Sequence, residues 1–197
     1  MGRRRREILR TCAVKRTALP GKHHAAPSTA APARAVAVAI AMAVAIPAAM
    51  AVTTGEVAPS FSLSGPQGAI ALDSIRARGE WTYLDFWASW CGPCKQSFPW
   101  MNDMHAKYGN KGLRIIAVSV DTRSADADRF LASNPASFAI AYDTTGDTPR
   151  RYGVKAMPTS MLIDPSGRVV LIHAGFKPDD RSALEDAIKT AMSRTPK

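Results

Sequence analysis

The stretch "LDFWASWCGPCKQSFP" (Leu84–Pro99) carries two cysteines, Cys91 and Cys94, with only Gly92 and Pro93 between them. Three chemistries use such a pair: a disulfide staple, half of a structural zinc site, or a redox centre. As a staple it would do little, because a disulfide stabilises mainly by restricting the unfolded chain and the effect grows with the loop it closes. Structural zinc needs about four N or S ligands, usually from two such pairs. Past the basic leader the chain has no second CxxC, and its imidazoles, His105 and His173, are isolated. The redox reading needs a cysteine at a helix start and a second thiol one turn later, and the flanks supply both.

"TYLDFWA" (residues 82–88) is aromatic and apolar and reads as a buried strand. "PCKQSFPWMNDMHAKYG" (residues 93–109) repeats apolar side chains at Phe98, Met101, Met104 and Tyr108 with helical spacing. Cys91 therefore falls at a strand-to-helix turn, where free backbone N–H groups and the helix dipole favour a thiolate. Pro93 suits the first helical turn, where its missing N–H is not needed, and it stiffens the ring between the sulfurs. Pro99, deeper in, predicts a kink. Alternation along Leu84, Asp85, Phe86 and Trp87 leaves no polar face, so Asp85 is expected to be buried with a raised pKa. Met101 and Met104 read as core rather than metal ligands, and Trp90 as an exposed contact or a ring shielding the thiol.

Downstream, residues 112–121 read as a buried strand, a helix follows near 125–133, "SFAIAYD" (137–143) is extended, and 148–152 is a turn or short helix. "SMLID" (160–164) and "RVVLIHAG" (168–175), joined by "PSG", predict an antiparallel hairpin. A last helix covers about 179–192. Alternating strands and helices predict a parallel core within one domain, and no internal repeat is present. His173 reads as a half-exposed strand residue and Arg150-Arg151 as a solvated face.

The first fifty residues have a different composition. Residues 1–34 carry nine Lys or Arg and one acid, whereas 52–197 carry seventeen bases and fifteen acids, so the formal +10 divides into about +8 and +2. Without the leader's charge, nucleic-acid binding has no support. "AVAVAIAMAVAIPAAMA" (35–51) is uncharged and ends in Ala49-Met50-Ala51, which fits a signal-peptidase site. Residues 1–51 are thus expected to be a signal peptide cleaved after Ala51, with 52–197 the exported domain. Pro47 breaks the apolar helix, and an alanine-rich run spans a membrane less favourably than a leucine-rich one; an N-terminal anchor is the alternative. "RRREILR" (4–10) has the paired arginines of a twin-arginine signal but stands far from the apolar run. A start at Val14 would leave Lys15, Arg16, Lys22 and Arg34 as the basic region. Cys12 precedes the apolar run and is no lipoprotein cysteine, and His23-His24 lack metal partners.

The opening stretch resembles thioredoxin, including the acid six residues before the first cysteine and the proline five after the second. The chain from 55 to 192 resembles the exported thioredoxin-like reductases of the TlpA/ResA type. "GEVAPSFSLSGPQGAIALDSI" is similar to their N-terminal extension and "YGVKAMPTSMLIDPSGRVV" to their downstream half. The resemblance implies an α/β thioredoxin-like fold, a central mixed sheet flanked by helices with an N-terminal β-hairpin extension. It implies Cys91 as attacking thiol, Cys94 as resolving thiol, and a cis Met157-Pro158 bond facing them. Asp85 would take the proton of the resolving cysteine; here the chain departs toward thioredoxin, since many TlpA-type relatives lack this Asp. The substrate groove would comprise Trp90, Gly92, Pro93, Met157, Pro158 and Thr159.

The function expected is periplasmic thiol:disulfide exchange with no cofactor or metal, by a monomer. Lowering a thiol pKa from about 8.5 to about 7, the value of thioredoxin, represents about 2 kcal/mol favouring thiolate. The Gly92-Pro93 pair is that of thioredoxin, near about −270 mV, rather than of the oxidant DsbA, near about −120 mV, which favours reduction of substrates. The resemblance implies disulfide-bearing exported proteins as substrates, such as haem-site or copper-centre cysteines, and a membrane electron donor of the DsbD or CcdA type. Two alternatives stay open: an oxidant of protein thiols, and a copper chaperone of the Sco kind, whose cysteines are spaced CxxxC and joined by a distant histidine. A peroxiredoxin's Pro/Thr pattern is absent before Cys91.

Overall fold

The computed structural model describes residues 51–194. The leader readings (signal peptide 1–51, cleavage after Ala51 or anchor, twin-arginine match, Val14 start, Cys12, His23-His24) lie, but for Ala51, outside the described residues. Among the described residues no helix is long and apolar enough to cross a membrane.

Seven strands form one sheet in the order β2-β1-β5-β4-β3-β6-β7. The extension supplies β1 (Ser62–Gly65) and β2 (Gly68–Ala71), an antiparallel hairpin, and α1 (Leu72–Arg76). The core follows as β3 (Trp81–Trp87), α2 (Gly92–Tyr108), β4 (Leu113–Ser119), α3 (Ser124–Ser133) and β5 (Ala139–Tyr142). It ends with α4 (Asp147–Arg151), β6 (Thr159–Ile163), β7 (Val169–Ala174) and α5 (Asp180–Arg194). As expected from the strand–helix alternation, β3, β4 and β5 are parallel, while β6 and β7 run antiparallel. This is the thioredoxin-like fold. The helix α2 continues past Pro99 as far as Tyr108.

All seven residues of β3 are buried, because helices cover both faces of the central strand. Trp81, Tyr83 and Trp87 pack with Phe98 and Met101 of α2, Ala127 of α3 and Ile188 of α5. Leu84 and Phe86 pack on the opposite face with Leu72 and Ile75 of α1 and with Tyr152. Strand alternation thus assigns Asp85 to the α2 side. Phe98 meets the rings of Trp87, Phe130 and Phe138 at centroid distances of 4.9, 5.1 and 5.4 Å in edge-on geometry. That cluster fixes the helix that carries the cysteines.

The extension is tied in by backbone and side-chain bonds. Gly55 and Ala58 donate N–H to the carbonyls of Val169 (2.7 Å) and Gly167 (2.8 Å), and the Tyr152 hydroxyl donates to the Pro59 carbonyl at 2.6 Å. Arg151 donates to the Ser60 carbonyl at 2.8 Å. Arg150 and Arg151 are both exposed, as the solvated-face reading expected; Arg150 is ion-paired with Asp147, and Arg151 also links α4 to the extension. Strand β1 meets β5 at the single pair Ser64↔Tyr142. The approach requires glycine at 65, where a Cβ would collide with the Ile140 carbonyl.

Candidate active site

Strand β3 delivers the chain into a short turn that β4 holds from beside it. Asp121, buried just past β4, accepts from the Ser89 N–H (2.9 Å) and the Ser89 hydroxyl (2.8 Å), and its Oδ2 also accepts from the Ser119 hydroxyl at 2.9 Å. The Cys91 N–H then bonds the Ala88 carbonyl at 3.0 Å. Cys91 has extended backbone (φ −86°, ψ 107°) and is the N-cap of α2, its Sγ accepting the Cys94 N–H at 3.2 Å. The first turn of α2 has no acid to oppose a negative sulfur, and its last turn carries His105 and Lys107.

Cys91 and Cys94 are joined in a disulfide. Cys91 is 6% exposed and Cys94 is 0% exposed, so of the pair only the first residue touches solvent. Access to Cys91 is therefore narrow. Cys91 is flanked in sequence by Trp90, 71% exposed, and by the exposed Gly92 and Pro93.

Strand β6 pairs antiparallel with β3 in the register Phe86↔Thr159 and Asp85↔Ser160, which brings the preceding Met157-Pro158 to the end of the sheet where the cysteine turn leaves. That bond is cis, as the family resemblance implied. Pro158 and Thr159 are buried; half-buried Met157 packs against the cluster that contains both cysteines. The Thr159 hydroxyl donates to the Ala156 carbonyl at 2.7 Å, and the Pro158 carbonyl accepts from the Gly175 N–H at 2.7 Å.

Asp85 is fully buried. Its Oδ1 accepts from the Ser160 hydroxyl at 2.6 Å, and its Oδ2 has no partner. Burial pushes its carboxyl up to about 7, with the Ser160 hydrogen bond pulling the other way. A carboxyl near 7 can both accept and release a proton at neutral pH.

His173 is part-buried on β7 and hydrogen-bonded through Nε2 to Asp180 at 3.3 Å. Among the described residues no group of three His, Cys, Asp or Glu side chains is placed to hold a metal ion. Sequence reasoning missed Asp121 and Ser160. An acid ending a buried strand was a usable sign of a turn-holding role for Asp121; Ser160, one hydroxyl in a buried strand, gave none.

A profile of the AhpC/TSA family matches residues 54–172. The chain belongs to the AhpC/TSA family, among its thioredoxin-like thiol:disulfide oxidoreductases. This AhpC/TSA chain is 36% identical over 136 residues to a thiol-disulfide oxidoreductase ResA of Bacillus thuringiensis subsp. konkukian, covering 68% of this chain and 76% of that one. It is 34% identical over 132 residues to the protein of the same name from Oceanobacillus iheyensis, covering 64% and 68%. Among solved structures it is similar to a thiol:disulfide interchange protein DsbE from Chlorobium tepidum, with 53% identity, TM-score 0.70, and coverage of 72% of this chain and 99% of that one.

Proposed function

We propose that this oxidoreductase is an exported reductant, working outside the cytoplasm on disulfides of other exported proteins. The observation that carries the reading is Cys91 capping α2, with Cys94 fully buried one turn on. The Cys94 N–H that meets the Cys91 sulfur in the disulfide would meet its thiolate in the reduced chain, which lowers the thiol pKa.

The Cys91 thiolate attacks a substrate disulfide, forming a mixed disulfide and expelling one substrate thiolate. Cys94 then gives its proton to Asp85 and attacks the Cys91 sulfur; the Cys91–Cys94 bond forms and the second substrate thiolate leaves. Two electrons pass from the dithiol to the substrate, whose thiolates take up two protons. Trp90, Gly92 and Pro93 on one side and Met157, Pro158 and Thr159 on the other form the groove for the substrate chain.

The Gly92-Pro93 pair supports reduction as the direction, and reduction in an oxidising compartment requires an electron supply from a membrane thiol carrier of the DsbD or CcdA type. Haem-site cysteines of cytochromes c or copper-centre cysteines are the substrates the resemblance favours. The leader's charge and apolar run support export with cleavage after Ala51, and the protein acts as a monomer.

Equilibration of the full chain with thioredoxin and glutathione buffers tests the direction. A potential near about −270 mV supports a reductant; one near about −120 mV makes the protein an oxidant.

A further inference from the structure

The polar surroundings of Asp85 are asymmetric. Across the sheet its row reads Ala117 on β4, Asp85 on β3, Ser160 on β6 and His173 on β7. Cross-strand partners share a face, so Ser160 stands between the carboxyl and the only imidazole of the row. Ala117 gives the carboxyl an apolar neighbour on one side. On the other, Ser160 is 4% exposed and donates its hydroxyl to Oδ1 at 2.6 Å. Oδ2, equally buried, has no partner.

We infer that Ser160 is a positioning residue for the buried acid: by holding Oδ1 it leaves Oδ2 as the atom that receives the proton of the resolving cysteine. The inference rests on Asp85 being the proton acceptor. A carboxyl without Ser160 could rotate and present either oxygen, and its charged form would lose its only hydrogen bond within a desolvated site. Ser160 thus fixes the orientation and opposes the effect of burial, keeping the acid ionisable at neutral pH. Its position follows from the hairpin: Ser160 is two residues past Pro158, so the strand that borders the substrate groove also sets the acid.

The other ionisable groups around Asp85 are few. Tyr83 shares its face two residues earlier on β3, and burial followed by the Asp85 charge pushes its phenol far up, so it stays neutral. From α2 come Cys91 and Cys94, closed in the disulfide. His173 lies one strand beyond Ser160 and is bonded to Asp180 of α5.

The test compares Ser160→Val with Ser160→Thr in the full chain, since the two side chains match in shape and differ in the hydroxyl. Ser160→Ala is a third variant that adds no bulk. Keeping the protein oxidised silences the thiols, and NMR of carboxyl-labelled aspartate follows the Asp85 midpoint. Loss of a hydrogen bond to a charged group predicts a midpoint raised by about one pH unit in Val and Ala, with Thr staying at the wild-type value. The pH profile of turnover should move up by the same amount, and in an Asp85→Asn background Ser160→Ala should leave it unmoved. A midpoint unchanged in both Val and Ala overturns the inference, as does a shift in Thr equal to that in Val. If Asp85→Asn leaves the turnover profile of the parent chain intact, the acceptor reading of Asp85 fails instead, whatever Ser160 does to the midpoint.

Discussion

Replacing Asp85 by Asn should make the oxidised protein more stable at pH 8 than at pH 5, relative to the parent chain. The carboxyl ionises near 3.8 in an unfolded chain and near 7 in the folded one, because burial removes it from water. Between these values the folded chain holds a proton that the unfolded chain has lost, so raising the pH favours unfolding. At about 1.4 kcal/mol for each pH unit, the parent loses about 4 kcal/mol on this account by pH 8. Asn does not ionise and escapes the loss. Its amide N–H₂ brings its own cost in a buried site, about 1–3 kcal/mol, but that cost does not vary with pH. The diagnostic is therefore the slope. Urea unfolding of both oxidised chains from about pH 5 to about pH 8 spans about 2.7 kcal/mol of that loss and should show the midpoint difference moving in favour of Asn by about 1.3 M, for a urea dependence of about 2 kcal/mol per molar. A difference that stays constant over that range refutes a buried, late-ionising Asp85. Turnover should respond oppositely: Asn slows the Cys94 step across pH 6–8, and equal rates there would remove its role as a base.

Three further outcomes are expected. In the reduced chain iodoacetamide should modify Cys91 with an apparent pKa well below about 8.5 and leave Cys94 untouched, and Cys94→Ser should accumulate mixed disulfides; reactivity like that of a free thiol at Cys91 would contradict the helix-capping argument. Asp121→Ala removes the acceptor of three hydrogen bonds and leaves buried Ser119 and the Ser89 N–H unsatisfied, a loss of about 3 kcal/mol by urea unfolding, together with slower thiol attack as the turn before Cys91 loosens. Gly65→Ala should push β1 from β5, lowering stability by about 1–3 kcal/mol and exposing the extension to limited proteolysis while the dithiol keeps its potential.

Much of the site is local in the chain and so was legible before folding. The cysteine spacing, the apolar strand before it and the helical repeat after it fix a strand–turn–helix unit through periodicity alone, and they place Cys91 at the N-cap and Cys94 one turn on. The lack of a polar face along residues 84–87 sufficed to bury Asp85. What periodicity could not supply were contacts between segments far apart in sequence. The bond from exposed Arg151 to the Ser60 carbonyl could not be read along the chain, because its acceptor comes from the extension. Asp121 holds a residue thirty-two positions away.

By itself the sequence determined which atoms can exchange electrons: two sulfurs one helical turn apart, the first at free backbone N–H groups, a geometry that short-range hydrogen bonding imposes wherever this stretch folds. The tertiary structure decided which oxygen of the buried acid is free and how much of the first cysteine touches solvent. Those depend on β6 lying antiparallel beside β3 in one register, where a slip of a single residue would turn Ser160 to the other face and leave Asp85 without its hydrogen bond.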